Sequence, residues 1–321
     1  MARVVVTGGA GFVGSYVVRA LVELGHDVAV YDNFAAYTLP TFQSAPLDLA
    51  SRIRPISEKI KVVRVSMTQR DLLRLNLSSF EPDVVIHMAA MPFTGISLDL
   101  TEEALTSIVN STQNLLDIIA AGRWRCRLVF ISSSMVYGNF LSTAISEDHP
   151  KQPTTLYGAL KLSAELIVRA YERTWDLDVV IIRPAAVYGP LAINNTIIQR
   201  WIRSAMAGET LQVHGDGSLE IDFTYVLDAA DGILAAALHP AAKGMEFNIT
   251  RGQARSLNEL LDILRLHFPR LKSQNGPRPS NVPNRGTLSI ERASRLIGFR
   301  PQIPLEEGVR RYIEHLRSND Y

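Results

Sequence analysis

Tyr157 and Lys161 stand four residues apart in the run Tyr157-Gly158-Ala159-Leu160-Lys161. The apolar spacing of Leu156, Leu160, Ala164, Ile167 and Val168 predicts a helix over 154–172, which puts both side chains on one face, a turn apart. An ammonium so placed lowers the pKa of a phenol, ordinarily near ~10, through a cofactor hydroxyl that both groups reach, and makes it a general base. An unremarkable surface helix has the same spacing, so the pair needs support from elsewhere in the chain. Part of that support is the hydroxyl-rich run Ser132-Ser133-Ser134-Met135-Val136-Tyr137-Gly138, which closes an apolar strand and precedes the helix.

The elements that must position this chemistry begin at the N-terminus. A short apolar run over 3–7 ends at Thr7-Gly8-Gly9-Ala10-Gly11-Phe12-Val13-Gly14, and a helical pattern of Val13, Val17, Val18, Leu21 and Val22 follows, stopped by Gly25. In a strand, glycine turn and helix of this kind, Gly8 permits the tight turn, Gly11 lets backbone approach a pyrophosphate at the helix N-terminus, and Gly14 allows close helix packing. A second buried strand, Val28 to Tyr31, ends in Asp32. A carboxylate there accepts from the adenosine ribose hydroxyls and repels a 2′-phosphate, so NAD is expected over NADP. A tight turn followed by a solvated Asp is the alternative. Further strands are expected near 60–65, 83–87, 127–131 and 178–182, alternating with helices. The fold class is therefore α/β, a doubly wound parallel sheet of Rossmann type with a smaller, interleaved C-terminal substrate domain. The boundaries expected are 1–184 for the NAD-binding domain and 185–321 for the substrate domain. His87 closes one strand and is expected to be structural.

Composition narrows the function. The 321 residues carry a formal net charge of +1 with no long charged run, so neither nucleic acid nor an anionic membrane is an expected partner. One cysteine, Cys126, excludes an internal disulfide and a cysteine-based metal cluster, and no metal site is expected. No leader-like start and no apolar run of about 18 residues is present, so a cytoplasmic location is expected. A small-molecule enzyme is the class that remains.

Thr7 to Gly14, Asp32, His87-Met88-Ala89-Ala90, Ser132 to Gly138, Tyr157-x3-Lys161 and Arg183-Pro184-Ala185-Ala186-Val187-Tyr188-Gly189-Pro190 together resemble the extended short-chain dehydrogenases, specifically the NAD-dependent epimerase/dehydratase family. Gly215-Asp216-Gly217-Ser218, Asp222-Phe223, Val226 with Asp228, and Leu296 to Pro301 carry the resemblance through the second half. It implies that Tyr157 takes a proton from a sugar hydroxyl while NAD accepts the hydride. Lys161 would hold the nicotinamide ribose, and Ser133 would share the hydrogen bond to the reacting oxygen. It also implies a cofactor site of Gly8, Gly11, Phe12, Val13, Asp32, Asn33, Ser66, Met67, Ala89, Tyr157 and Lys161, a UDP-sugar substrate, and a homodimer paired through the helices near 99–121 and 154–172.

Departures from the pattern bear on the reaction. The family's 4,6-dehydratases carry an Asp-Glu pair where this chain has Ser134 and Met135, and a thioether neither takes nor gives a proton. A standard 4,6-dehydratase is disfavoured, and Ser134, Met135 and Tyr137 become the residues to watch at C5 and C6. Two diphosphate contacts of the family are replaced by Ala186 and Ile221. Asn194, Asn195, Arg200, Arg278 and Arg285 are candidate replacements, Arg285 foremost, and Val213 is expected against the substrate. Ser66 takes the place of an adenine-contacting Asp, and Ile108 that of an Asn beside the nicotinamide. The Ser-Ser-Met triplet with altered phosphate motifs is similar to that of a UDP-N-acetylglucosamine 5,6-dehydratase, a lyase of antibiotic biosynthesis. A nucleotide-sugar 4-epimerase is the alternative. A net dehydrogenase or reductase on another carbonyl and a non-catalytic NAD-binding protein complete the field, and the intact Ser133, Tyr157 and Lys161 argue against the last.

Overall fold

The computed structural model describes residues 1–35, 49–91, 100–122, 124–192, 196–278 and 282–318. The described residues form a seven-stranded parallel sheet in the order Glu246–Ile249, Asp178–Pro184, Arg127–Ile131, Val84–His87, Arg3–Thr7, Asp27–Asp32, Ile60–Arg64. Its central strands are apolar without alternation because both faces are covered. Val4 and Val6 pack with Val17, Val18 and Ile233 on one face, while Val5 packs with Leu73, Leu115 and Val168 on the other. Strand order reverses between Arg3–Thr7 and Val84–His87, so a crevice opens at their carboxyl ends. The glycine turn and the serine-rich turn both lie at that edge.

Expected strands and observed ones agree within two residues, and the long helix runs Leu156–Trp175. Thr155 caps it, its Oγ1 accepting from the Gly158 N–H at 3.2 Å. The helix expected over 99–121 is interrupted: Thr101–Leu105 and Ser111–Ala121 are separated by a π-turn at Thr106–Asn110. Ser111 and Thr112 donate to the carbonyls of Ser107 and Ile108, at 2.5 and 2.6 Å, and such hydroxyl back-bonding loosens the backbone ladder.

The boundary at residue 184 does not part the two lobes. Phe247 on the edge strand pairs with Ile182, and Ala230, Ile233 and Ala237 of the helix Val226–Leu238 pack into the cluster that holds Val4 and Val6. The chain leaves the sheet after Pro184 and returns with that helix and the strand Glu246–Ile249, and Ala293, Ile297 and Phe299 join the same cluster from nearer the C-terminus. A second core forms around Trp201, Ile202, Leu211, Phe223, Leu260, Leu264 and Tyr312. The loop expected over 276–286 is flanked by pairings: Ser273–Gly276 lies beside Leu211–His214, and Thr287–Leu288 beside Ala144–Ile145. Residues 279–281 of the expected lid lie outside the described residues. No helix among the described residues is long and apolar enough to cross a membrane.

Asp228 ties the returning helix to the C-terminal segment. Its two carboxylate oxygens accept from the Gln302 and Ile303 N–H groups at 2.8 and 2.9 Å, with the side chain buried. Asp228→Ala strands both donors and should cost about 2–3 kcal/mol, read as a lower urea midpoint at unchanged slope.

Candidate functional site

Gly8 opens the turn at φ +70, a conformation that favours glycine, and a Cβ there would lie 2.8 Å from the Ala89 nitrogen. The turn closes by Gly11 N–H donating to the Gly8 carbonyl at 3.0 Å, and the helix Phe12–Glu23 begins at once with no side-chain cap. Its first amides are left for a ligand, and an anion at this helix end is stabilised by the aligned peptide dipoles. Asp32 ends the neighbouring strand. Its carboxylate accepts from Ala10 N–H at 3.0 Å and Phe34 N–H at 2.8 Å, while burial raises its pKa above the usual carboxylate value. A cradle that a Cβ would fill, free helix-terminal amides and a buried acid at the next strand end together fit a dinucleotide.

At the other side of the switch point, Ser133 follows the strand Arg127–Ile131 and caps the short turn Ser134–Tyr137, its Oγ accepting from Met135 N–H at 3.2 Å. Ser133 and Tyr157 line the same cleft, and the Ser133 hydroxyl acts to lower the phenol's pKa. Lys161 donates to the Ile131 carbonyl at 2.9 Å and faces the rings of Phe130 and Tyr157, 5.3 and 6.0 Å from their centroids. The side-chain chemistry expected from the spacing is therefore assembled at one strand end.

Burial sets the charge balance of the two groups. It pushes the Tyr157 phenol up to about 12, offset in part by the Ser133 hydroxyl. Burial also pulls Lys161 down to about 8, against the opposing pull of Glu165. Desolvation disfavours either charge, so it moves the acid and the base in opposite directions. His87 is buried and held down to about 3 by desolvation and then Lys161. Its nitrogens meet Thr7 Oγ1 at 2.8 Å and Thr112 Oγ1 at 3.2 Å, a neutral structural imidazole.

One cleft of about 870 Å³ joins these parts. Gly8, Gly11, Phe12, Val13, Asp32, Asn33, Ser66, Met67 and Ala89 all line it, together with Ser133, Tyr157 and Lys161. Ser66 bonds Thr68 Oγ1 at 2.8 Å, and Ile108 packs in the core behind. Of the substrate candidates, Arg200 lines the cleft from the helix Ile197–Met206 and is exposed. Asn194 and Asn195 lie outside the described residues.

Four candidates are placed elsewhere. Val213 is core, because strand alternation turns it inward beside Leu211 and sends Gln212 outward. Tyr137 is buried away from the cleft, its hydroxyl donating to Asn248 Oδ1 at 2.8 Å and accepting from Arg183 at 3.0 Å, and desolvation raises its pKa far above the ordinary phenol value. Arg278 spans its own loop, donating to the carbonyls of Val282 and Pro283 and to Asn284 Oδ1. Arg285 sits behind the serine turn: one nitrogen donates to Ser134 Oγ at 2.9 Å and another lies against the Met135 sulfur. Ser134 and Met135 are correspondingly buried behind the cleft wall.

Sequence reasoning missed Arg52 and the role of Gly158. Arg52 is buried against the cleft and donates to the Ala10 carbonyl at 3.2 Å and the Leu191 carbonyl at 2.7 Å, joining the glycine turn to the second lobe. It sits in a five-residue helix after a stretch with no motif, so no pattern marks it. A Cβ on Gly158 would lie 2.5 Å from the Met135 carbonyl, so that glycine lets the long helix reach the serine turn. Among the described residues no group of three or more His, Cys, Asp or Glu is placed to hold a metal ion.

The sequence model of the NAD dependent epimerase/dehydratase family matches residues 4–250. The chain belongs to that family. Within it, the chain is 30% identical to the UDP-glucose 4-epimerase of Mycolicibacterium smegmatis, covering 98% of this chain and 99% of that one. The human dTDP-D-glucose 4,6-dehydratase is 27% identical over 99% of this chain and 90% of its own length. Among solved structures, the UDP-glucuronic acid 4-epimerase of Bacillus cereus, in complex with UDP-glucuronic acid and NAD, superposes with a TM-score of 0.88 at 27% identity, over 98% of this chain and 99% of that one. Family members are thus NAD-dependent enzymes of nucleotide sugars, and this chain is one.

In a member of this family the glycine turn must remain free of side chains. A Cβ at position 14 would lie 2.3 Å from the Gly8 carbonyl oxygen, backbone against which nothing can yield. Gly14→Ala should weaken NAD binding at least about tenfold, or 1.4 kcal/mol, by titration calorimetry.

Proposed function

We propose that the chain oxidises C4 of a UDP-hexose or UDP-hexosamine transiently, eliminates water across C5 and C6 of the resulting 4-keto sugar, and reduces C4 again, leaving NAD unchanged overall. The observation that carries the redox step is the assembly of Ser133, Tyr157 and Lys161 at one strand end, in a cleft continuous with the glycine turn and Asp32. NAD supplies the hydride acceptor and donor. Tyr157 takes the C4 hydroxyl proton and later returns it, Ser133 orients that oxygen through its own hydroxyl, and Lys161 supplies positive charge beside the phenol as it ionises. The glycine turn and Asp32 hold the cofactor, with Ser66, Met67 and Ala89 along the same wall. Arg200, on the cleft, is the candidate for the diphosphate in place of the family's Asn and Arg, replaced here by Ala186 and Ile221.

The placement of Arg285 favours elimination. A 4-keto group acidifies C5–H, and loss of the C6 hydroxyl then passes through a carbanion-like state that a nearby fixed cation stabilises. Arg285, lowered by desolvation to about 10 and so still charged at neutral pH, stands behind Ser134 and Met135 where the family's 4,6-dehydratases carry carboxylates. With no carboxylate there, the C5 proton is left to the protic group that lines the cleft, Tyr157. This reading matches the resemblance to the UDP-N-acetylglucosamine 5,6-dehydratase of tunicamycin biosynthesis. The second reading is 4-epimerisation, which shares the first step. It is favoured by the missing carboxylates and by the names of the Mycolicibacterium and Bacillus relatives.

Incubation with UDP-sugars without added NAD distinguishes the two by mass spectrometry. Loss of one water is the expected result; unchanged mass with a new stereoisomer selects epimerisation, and stoichiometric NADH release refutes both. Tyr157→Phe should keep its fold and bound NAD yet lose about 10²–10⁴-fold in turnover, measured in the same assay.

A further inference from the structure

Glu165 follows Lys161 by one helical turn and faces the same way. Both its carboxylate oxygens are taken by Arg183, whose Nε and Nη2 donate at 3.0 and 2.7 Å, with the two side chains only 3% and 5% exposed. The remaining arm of Arg183 donates to the Tyr137 hydroxyl at 3.0 Å and the Glu147 carbonyl at 3.2 Å. Burying such a pair is costly, and apolar residues of similar volume commonly pack as well. Its position gives it a task. It lies where the long helix, the strand Asp178–Pro184 and the serine turn meet, directly behind the Tyr157 and Lys161 pair.

The surroundings of Lys161 hold little other charge. From its own helix it meets Tyr157 and Glu165; from Val84–His87 it meets His87, neutral and bonded to two threonines; from Arg127–Ile131 it meets the Phe130 ring and the Ile131 carbonyl. From Asp178–Pro184 comes Arg183, its guanidinium committed to Glu165, Tyr137 and Glu147. Glu165 is the anion that acts on the ammonium. We propose that Glu165, pinned by Arg183, is the positioning residue that keeps Lys161 a cation and thereby sets the pH at which Tyr157 ionises. This inference rests on the assignment of Tyr157 as the base, and not on the identity of the sugar.

The two-point hold by Arg183 explains why the anion is not simply a bare carboxylate. Without its partner, Glu165 would be free to swing to Lys161 and draw its nitrogen away from the cleft. Held by the planar fork of Arg183, it acts on Lys161 through its field while the ammonium keeps its bond to Ile131 and its remaining N–H groups. Burial lowers Lys161 to about 8 even with Glu165 ionised. Without that charge, the ammonium would lose its proton at still lower pH, and the phenolate would lose its stabilising partner near neutrality.

The test follows the ionisation of Tyr157 in the NAD-saturated protein, without substrate, by the ultraviolet difference signal of phenolate after subtraction of the Tyr157→Phe variant. Glu165→Gln should move that ionisation to higher pH by about one unit, a tenfold change in proton affinity. Glu165→Asp, which sets the charge one methylene back, should move it the same way by less, and remains informative if the Gln substitution prevents folding. Glu147→Gln removes a nearby buried carboxylate that accepts from the Asn248 N–H, while Arg183 keeps its bond to the Glu147 backbone carbonyl; it should lower the melting temperature and leave the ionisation unmoved. Wild-type ionisation in both Glu165 variants, or an equal shift in Glu147→Gln, would overturn the proposal. Absence of any Tyr157 signal in the unmodified protein would overturn the base assignment and this inference with it. With a turned-over sugar in hand, kcat should fall in Glu165→Gln while KM holds.

Discussion

Everything in this molecule depends on how closely two backbones approach at the switch point of the sheet. The turn after the first strand must pass within van der Waals contact of the residues that follow the fourth in the chain, and its own helix must start against the Gly8 carbonyl. Only hydrogen atoms fit at Gly8 and Gly14. Given that approach, the amides of the helix N-terminus, the carboxylate of Asp32 and the serine turn all border one cleft, because parallel strands deliver their carboxyl ends to the same edge.

The same burial that builds the cleft works against its chemistry. A dry site strengthens every electrostatic interaction but penalises both the phenolate of Tyr157 and the ammonium of Lys161. The structure meets this penalty with neutral partners close in, the Ser133 hydroxyl beside the phenol and the Ile131 carbonyl accepting from the ammonium, and with full charges one layer back, Glu165 and Arg183. Arg285 repeats the arrangement on the opposite side, where a cation stands behind Ser134 and Met135. The reactive groups thus keep a small number of direct partners while the long-range field is set by residues that never reach the substrate.

Buried polar side chains fasten segments far apart in the chain. Arg52 joins the Ala10 and Leu191 carbonyls across the cleft, Asp228 fastens the returning helix to the segment at Gln302, and Asn248 on the edge strand holds Tyr137.

The first strand, the glycine turn and the strand ending at Asp32 were legible because each is local: a run of apolar residues buried on two faces, glycines where a Cβ would collide, an acid at a strand end. The Tyr157 and Lys161 spacing was legible for the same reason, since a helix puts residues four apart on one face. Tertiary structure decided what those groups feel. It placed Tyr137 and Val213 in the interior, turned Arg285 to the serine turn and brought Glu165 and Arg183 behind Lys161, contacts between residues far apart in the chain. Residue type and spacing determine which chemistry is available; burial and partners across the fold determine which group carries the charge, because desolvation and Coulomb interaction depend on three-dimensional distance and not on position along the sequence.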